Sequence, residues 1–212
     1  MSGITAFTEL QFEEQTHTYT LCGTTLPSVT TVMWPLSHTY YGKIDVGVLA
    51  AAARRGSSVH NAIENHLKFG IVDVPPDKKG YFDAYLSWLE NEKPKVEATE
   101  GRVYHRCLRY AGTADLICVM GGGSVACVDF KTSSQVVDML ARVQLEAYFK
   151  AFVSHGVELH GKCAVHLRID GTYAVHNYGG NDNEAWEVFC GLLQAHNYLE
   201  RYRRKSNEHG SG

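Results

Sequence analysis

One stretch near the middle of the chain constrains the fold more than any other. It runs Tyr110-Ala-Gly-Thr-Ala-Asp115-Leu-Ile-Cys-Val-Met, passes through Gly121-Gly-Gly123, and continues as Ser124-Val-Ala-Cys-Val-Asp129-Phe-Lys131-Thr132. Two apolar runs on either side of a glycine cluster are typical of a β-hairpin. Because 116–119 and 125–128 are apolar at every position, both strands are predicted to be buried on both faces.

Two aspartates occupy matching positions in this hairpin. With the turn centred on Gly122, Asp115 and Asp129 each lie seven residues from the centre, so they face each other on one side, which Lys131 shares. Opposed like charges, with β-carbons about 5 Å apart, destabilise a sheet unless something neutralises them. A divalent cation is the natural neutraliser. Two carboxylates, with the backbone carbonyl of Phe130 as a further candidate ligand, suit Mg²⁺ or Mn²⁺.

A structural interpretation of the same residues stays open. Asp115 can be a surface residue near a turn, and Asp129 with Lys131 can be an exposed ion pair that contributes about 0–1 kcal/mol. Burial of the strands favours the metal site, since charges at the ends of buried strands need partners.

Composition sets broad limits on the class of protein. The 212 residues carry a net charge of −3, so contact with a polyanion requires a local basic cluster. Six cysteines include no C-x-x-C pair, which favours free intracellular thiols. Cys118 and Cys127 either face each other across the hairpin or are small core residues, and we favour the core. Without a signal peptide or an apolar run of about 18 residues, the chain is expected to be cytoplasmic and not membrane-bound.

The rest of the chain alternates strand and helix patterns. Residues 5–26, with Cys22-Gly23 as a turn, predict a small hairpin, and Ser28 is positioned to cap a short helix that Trp34-Pro35 ends. Helices are predicted over 46–69 (with a break near Gly56-Ser57-Ser58), 77–92, 136–154 and 184–203, and strands over 95–105, 108–120, 124–132, 162–170 and 172–178. Residues 132–134 are predicted to cap the third of these helices, and Asn181 or Asp182 the fourth.

Further candidate functional residues lie on two of the predicted helices. His60 and Glu64 are four residues apart on one helical face, with Arg55 just upstream as either a phosphate contact or a solvated charge. A lone histidine at such a position is usually a core residue. The two aspartates of the hairpin need a metal to neutralise them, however, and this favours His60 as a metal ligand. Gln144 and Tyr148 have the same spacing, so they can hydrogen-bond either a phosphate or one another.

Other features are more often structural. Aromatic residues of 77–92 and the basic run at 201–205 (which includes Arg204) can contact nucleic acid, but core packing and a solvated helix end explain them as well. Glu100 can point to the site, although we expect an exposed strand residue.

Four motifs, in order along the chain, resemble the RecB-like branch of the PD-(D/E)XK nucleases. They are Arg55-Gly-Ser-Ser-Val-His60 with Glu64, Gly112-Thr-Ala-Asp115, Val128-Asp129-Phe-Lys131-Thr, and Gln144-Leu-Glu-Ala-Tyr148. The resemblance implies an α/β fold with a restriction-endonuclease-like core, in which a central mixed β-sheet is flanked by α-helices. It also implies one domain over 1–212: an N-terminal hairpin and short helix over 1–42, a catalytic core over 43–178, and a C-terminal helix over 180–206.

The resemblance assigns roles residue by residue. His60, Asp115 and Asp129 are expected to be metal ligands, Lys131 to position and activate the attacking water, and Gln144 with Tyr148 to support the phosphate or the site. The cysteines at 163 and 190 lie too far apart for the iron-sulfur cluster of some relatives, so none is expected.

The activity implied is that of a Mg²⁺- or Mn²⁺-dependent DNA exonuclease of phage or bacterial recombination and repair. It is expected to work in the bacterial cytoplasm or a phage-infected cell, with a single-strand annealing or other recombination protein as a partner. A flap endonuclease and a catalytically weak DNA-binding module are the alternatives.

Overall fold

The computed structural model describes residues 7–209, apart from the side chains of residues 204 and 207–209. Its strands are β1 (Leu10–Glu13), β2 (Thr18–Leu21), β3 (Thr24–Leu26), β4 (Lys95–Tyr104), β5 (Ala111–Val119), β6 (Val125–Lys131), β7 (Gly161–Leu167) and β8 (Tyr173–Asn177). Its helices are α1 (Val29–Val32), α2 (Trp34–Tyr41), α3 (Val46–Phe69), α4 (Lys79–Glu92), α5 (Asp138–Ser154) and α6 (Asn183–His209). The parts of the domain prediction at 1–6 and 210–212, and the side chain of Arg204 in the basic run, lie outside the described residues.

The central sheet has five strands in the order β4-β5-β6-β7-β8. Neighbouring strands are antiparallel except for β6 and β7, which are parallel. A parallel pair needs a long crossover connection, and α5 supplies it. The predicted α/β fold, in which a central mixed β-sheet is flanked by α-helices, is confirmed, and it is consistent with the expected restriction-endonuclease-like core.

The central hairpin forms with the predicted register. Leu116 pairs with Val128, and Ile117 with Cys127. The turn lies at Gly121–Gly123, where φ values of 82° and 85° at the last two residues favour glycine. The four paired residues are fully buried, which confirms burial on both faces.

The two faces of the hairpin pack against different helices. Ile117 belongs to a core cluster with residues of α5 and α6, whereas Leu116 packs with residues of α3 and α4. Since side chains alternate along a strand, Asp115 shares the α5 side with Ile117. Asp129, two residues beyond Cys127 on β6, lies on that side too.

The cysteines of the hairpin do not face each other. Cys118 pairs with Ala126, and Cys127 pairs with Ile117. Both thiols are buried, so they are core residues of adjacent strands. Facing positions would have required a register shifted by one residue.

The N-terminal region contains more structure than the sequence predicted. The turn at Cys22-Gly23 joins β2 to β3 as expected, and β1 adds a third strand. Ser28 caps α1 by accepting a hydrogen bond from the Thr31 N–H at 3.0 Å. Helix α1 ends at Val32, just before Trp34-Pro35, as predicted. A second helix that was not predicted, α2, begins at Trp34. Proline is well tolerated in a first helical turn, where its missing N–H is not needed.

Helix α3 is continuous from Val46 to Phe69, so the predicted break near Gly56-Ser57-Ser58 was wrong. Asp45 caps its start by accepting hydrogen bonds from the N–H groups of Gly47 and Val48. Residues on the buried face of α3 hold it against the sheet, and packing of such a face outweighs the weak propensity of glycine and serine.

Two predictions about helix capping had different outcomes. No side chain of the described residues caps α5, which begins after Val137, so the cap predicted within 132–134 was wrong. The Ser133 hydroxyl instead donates to the Gln135 carbonyl at 2.7 Å. Asp182 caps α6 as predicted, accepting from the Ala185 N–H at 3.1 Å.

The aromatic residues of α4 belong to the core. Phe82, Tyr85 and Trp88 are all buried and pack with α3 and one face of the sheet. This placement rules out base stacking by these three residues, whereas Tyr81 is only half-buried and lies against Arg55. Among helices of the described residues, none combines the length and apolar character needed to cross a membrane.

Candidate active site

Three acidic residues form a row across neighbouring strands. The register of β5 with β6 places Asp115 opposite Asp129, one step beyond the Leu116–Val128 pair. On the other side, Thr99 pairs with Leu116 and Gly101 with Ala114, so Glu100 lies beside Asp115. The three acidic residues thus occupy neighbouring backbone positions across adjacent strands. We call this set, Glu100, Asp115 and Asp129, the carboxylate row.

Asp115 occupies the centre of the row and is held from two directions. Its Oδ2 accepts a hydrogen bond from the Phe130 N–H at 2.7 Å, and its Oδ1 lies 3.2 Å from Nδ1 of His60. Burial acts to raise the pKa of Asp115, but the charge of His60 and the N–H donor outweigh it and hold the pKa below its ordinary value. Asp115 is therefore a fixed, ionised carboxylate.

His60 reaches the row from α3. Its Nδ1 faces Asp115, and its Nε2 lies 2.9 Å from the carbonyl oxygen of Phe130. Both ring nitrogens thus face acceptors, which is the arrangement of a doubly protonated imidazolium. Burial opposes this charge, but Asp115 outweighs burial and raises the pKa of His60 to about 9. Two of the predicted ligands, His60 and the Phe130 carbonyl, are in direct contact.

Glu100 is the functional candidate that sequence reasoning placed wrongly, since we expected an exposed residue. One ligand atom each from His60, Glu100 and Asp115 lie within 4.8 Å of one another. Burial, with the charge of Asp115, raises the pKa of Glu100 to about 7. Its backbone is left-handed, with φ of 49°. Counting outward from the β4–β5 turn near Cys107, as was done for Asp115 and Asp129, would have found it.

Asp129 turns away from that group and toward Lys131. Its Oδ2 lies 2.8 Å from the ammonium, but the contact lacks hydrogen-bond geometry, and no other described residue donates to this buried atom. Burial raises the pKa of Asp129, which Lys131 opposes and Asp115 reinforces. Burial acts to lower the pKa of Lys131, but Asp129 outweighs it and raises that pKa. Lys131 therefore stays protonated.

A chain of hydrogen bonds positions the lysine. Lys131 Nζ donates to the Gln144 side-chain carbonyl at 2.8 Å, and the Gln144 amide donates to the Tyr148 hydroxyl at 3.0 Å. Of the two predicted uses of Gln144 and Tyr148, the structure shows contact with one another. The ring of Tyr148 packs on Gly112, where a Cβ would lie 2.5 Å from Cε1 of the ring. A larger residue at this position would clash with the Tyr148 ring, which explains why the Gly-Thr-Ala-Asp motif begins with glycine.

The remaining predicted residues lie at the edges of the site. Arg55 donates from Nε to the Thr132 carbonyl at 3.2 Å and sits over the ring of Tyr81. Glu64 forms an ion pair with Lys68, one turn further along α3. Arg55 therefore borders the site through its hydrogen bond to a backbone carbonyl. The charge of Glu64 is neutralised by Lys68.

A cavity of about 310 Å³ leads to this site. Its walls come from α2, α3, the end of β6 and the start of α5, and His60, Phe130, Lys131 and Gln144 lie on them. Among the described lining residues there is no aspartate or glutamate, whereas Arg55, His60 and Lys131 contribute positive charge. The cavity thus favours an anionic ligand.

The donors present fit a hard divalent cation. His60, Glu100 and Asp115 offer one nitrogen and two carboxylate oxygens close together, and Asp129 adds a buried oxygen without a hydrogen-bond partner among the described residues. A set dominated by carboxylates suits Mg²⁺ or Mn²⁺ better than zinc or copper. Binding would require His60 to lose a proton, since only a neutral imidazole is a ligand.

Comparison with known proteins gives low similarities. No family model matches the chain, and no curated protein matches its sequence. The structure is similar to that of the protein SSO0001, with a TM-score of 0.43 and 17% identity over 82% of this chain and 75% of that one. It is also similar to LHK-Exo, an alkaline exonuclease from Laribacter hongkongensis, at a TM-score of 0.35 and 13% identity over 70% and 85% of the two chains. A complex of LHK-Exo with dAMP gives a TM-score of 0.39 and 12% identity over 73% and 91%.

Proposed function

We propose that this chain is a divalent-metal-dependent DNA exonuclease of the RecB-like branch of the PD-(D/E)XK nucleases. One observation carries the proposal: His60 and Lys131, each in contact with an aspartate of the carboxylate row, line a cavity whose described walls bear positive charge and no acid. Hydrolysis of a phosphodiester requires carboxylates that bind a cation next to a cavity that accepts the anionic phosphate.

The first task of the protein groups is to hold the cation. His60, Asp115 and Asp129, with the Phe130 carbonyl and Glu100 as neighbouring donors, would bind Mg²⁺ or Mn²⁺. A bound ion of this kind stabilises charge developing on phosphate oxygens and acidifies water. Burial and the charge of Asp115 raise the pKa of Glu100 to about 7 in the metal-free protein, and a bound cation would favour its ionised form.

Lys131 has a different task. Because Asp129 raises its pKa, the ammonium is a hydrogen-bond donor and not a base. It orients the attacking water and donates to the phosphate oxygen on which negative charge accumulates. Gln144 and Tyr148 hold the ammonium in place through the 2.8 Å and 3.0 Å hydrogen bonds, and Arg55 adds positive charge to the cavity wall.

An exonuclease is preferred because the branch that the motifs resemble is rich in enzymes that process DNA ends. A role in phage or bacterial recombination or repair, together with an annealing protein as partner, belongs to the same proposal. A flap endonuclease would use the same chemistry on a different DNA structure.

The test is digestion of end-labelled linear and closed circular DNA, single- and double-stranded, with Mg²⁺, with Mn²⁺ and with a chelator. The Asp129→Ala protein serves as the matched control. We expect linear DNA to be degraded only with metal and only by the unmodified protein. Nicking of circular DNA would show that the protein is an endonuclease and not an exonuclease. DNA binding without any digestion would contradict the enzyme and favour a binding module.

A further inference from the structure

An exposed aromatic pair lies on α2, a helix that also lines the cavity leading to the candidate site. The rings of Trp34 and His38, one turn apart on α2, are stacked at 4.8 Å with an angle of 11° between their planes. Trp34 is 61% exposed. A large aromatic side chain held flat by a neighbour and open to solvent presents a rigid π surface. We call this pair the aromatic ridge.

The ridge and the cavity share one helix. Ser37 and Tyr41 of α2 line the cavity, as does Met33, which caps the helix. Since Trp34 and His38 directly follow Met33 and Ser37, they occupy the adjoining strip of the helix surface. The cavity itself continues to His60 and Lys131, and neither Trp34 nor His38 is among its described lining residues, so a ligand that contacts both the ridge and the site must extend past the edge of the cavity.

Local packing fixes the ridge in position. A Cβ at Gly42 would lie 2.5 Å from the His38 carbonyl oxygen and 3.3 Å from the His38 ring, so glycine at this position leaves the ring its space. The Gln135 amide donates to the Tyr40 hydroxyl at 2.8 Å, which ties α2 to the segment that follows β6. The ridge is therefore held relative to the strand that carries Asp129 and Lys131.

The chemistry of the cavity and the ridge matches a nucleotide in single-stranded form. The described cavity walls provide Arg55 and Lys131 for a phosphate and no acid to repel it. Aromatic side chains bind unpaired bases by stacking, whereas bases inside a duplex have both faces covered by their neighbours. A positively charged cavity beside an exposed π surface is thus suited to a strand with its bases free.

We propose that the aromatic ridge stacks on an unpaired base next to the phosphate at the site, and that the substrate is DNA with a single-stranded segment. This inference rests on the proposed function and specifies its substrate class. Trp34 provides the stacking surface, and His38 positions its ring.

The test measures binding in chelator, so that cleavage plays no part. The probes are a labelled oligothymidylate, an abasic phosphodiester of the same length, and a blunt hairpin duplex. We expect Trp34→Ala to weaken oligothymidylate binding about fivefold to a hundredfold and to leave abasic binding unchanged. Trp34→Phe should recover part of the loss, and His38→Ala should give a smaller loss.

Phe69→Ala is the matched control. Phe69 is 68% exposed, at the far end of α3, about 13 Å along the helix from His60. We expect this substitution to leave binding of each probe unchanged. Fluorescence of Trp34 should also be quenched by oligothymidylate and not by the abasic strand, which a merely structural role of Trp34 would not produce.

Three outcomes would overturn the inference. They are equal weakening of oligothymidylate and abasic binding by Trp34→Ala, an equal effect on the blunt duplex, and a Trp34-dependent dimer of the free protein in sedimentation. Failure of the proposed function would give a different result, namely no metal-dependent digestion by the unmodified protein. Stacking on Trp34 is measured in chelator, so the two failures are distinguishable.

Discussion

Lys131 and Lys162 both lie against a carboxylate inside the protein, but in different surroundings. Lys162 Nζ is 2.7 Å from Glu146 Oε2, and both side chains are fully buried. Lys131 Nζ is 2.8 Å from Asp129 Oδ2, but the lysine side chain is 28% exposed and lines the cavity. The two pairs have similar geometry, so geometry alone does not separate their roles.

The neighbours of the two pairs do separate them. Protein groups surround the Glu146–Lys162 pair: Lys162 donates to the Gly180 carbonyl and sits 5.0 Å from the ring centre of Phe149, and Glu146 Oε2 accepts from the Asp182 N–H. Glu146 Oε1, like Asp129 Oδ2, has no hydrogen-bond partner among the described residues, but a second ammonium, that of Lys150, lies 3.7 Å from it. The pair joins α5 to β7 and to the start of α6. No solvent-filled cavity among those described borders it.

The Asp129–Lys131 pair instead belongs to the carboxylate row and faces open space. A buried ion pair is by itself weak evidence for function, because protein interiors also use such pairs to connect elements. Excess negative charge and access to a ligand are what distinguish a candidate site. The predictions that follow test this distinction.

The largest expected effect is on stability. Replacing Lys162 by methionine leaves Glu146 buried without its main partner, so the free energy of unfolding should fall by about 3–5 kcal/mol, as measured by denaturant unfolding. The double variant Lys162→Met with Glu146→Leu should recover most of this loss, because no unpaired charge remains. A single variant as stable as the unmodified protein would show that the pair is not structural.

Replacing Lys131 by methionine should affect catalysis and not folding. We expect cleavage to fall about a hundredfold to a thousandfold, as for loss of one donor to a developing oxyanion, with Mn²⁺ binding retained. Cleavage rate and thermal unfolding are measured on one preparation. Cleavage at the normal rate by Lys131→Met would contradict the role assigned to Lys131.

Glu100 and Glu64 provide a comparison within the site. Glu100→Gln should weaken Mn²⁺ binding about tenfold to a hundredfold, as losses around metal sites do, because Glu100 joins His60 and Asp115. Glu64→Gln should leave binding unchanged, since Glu64 is paired with Lys68. Equal effects in a Mn²⁺ titration would contradict the placement of Glu100.

The smallest expected effect is a pH dependence of the metal-free protein. The pKa of His60 is raised from 6.5 to about 9 in the folded state, so folding favours its protonated form. The stabilisation is fully present below about pH 6.5 and is lost as pH rises through about 9. The melting temperature in chelator should fall over this range, and less so in His60→Asn. Parallel pH profiles of the two proteins would contradict the raised pKa.

Local patterns predicted much of the fold and of the candidate site. A glycine turn fixes hairpin register, so counting from Gly122 placed Asp115 opposite Asp129 correctly. Helical spacing likewise put Gln144 within hydrogen-bond distance of Tyr148. In each case one turn or one helical period determines the geometry, and the sequence contains that information directly.

Other features depend on contacts between distant segments. Counting from the β4–β5 turn pairs Glu100 with Asp115, but the left-handed backbone at Glu100 and the irregular register between Val96 and Ala98 mean that alternation along β4 does not show which face each side chain occupies. The pairing of Glu146 with Lys162 follows from how α5 packs on β7, which no local spacing reveals. The helix beginning at Trp34 was missed because Pro35 both ends helices and fits their first turn.

Calorimetric titration of Mn²⁺ into metal-free protein tests the central claim, that the carboxylate row and His60 form a metal centre, most directly. The unmodified protein should bind Mn²⁺ and release protons, because His60 with a pKa of about 9 must deprotonate to act as a ligand. Asp115→Asn should abolish this binding. The same affinity in Asp115→Asn, or binding without proton release, would contradict the claim.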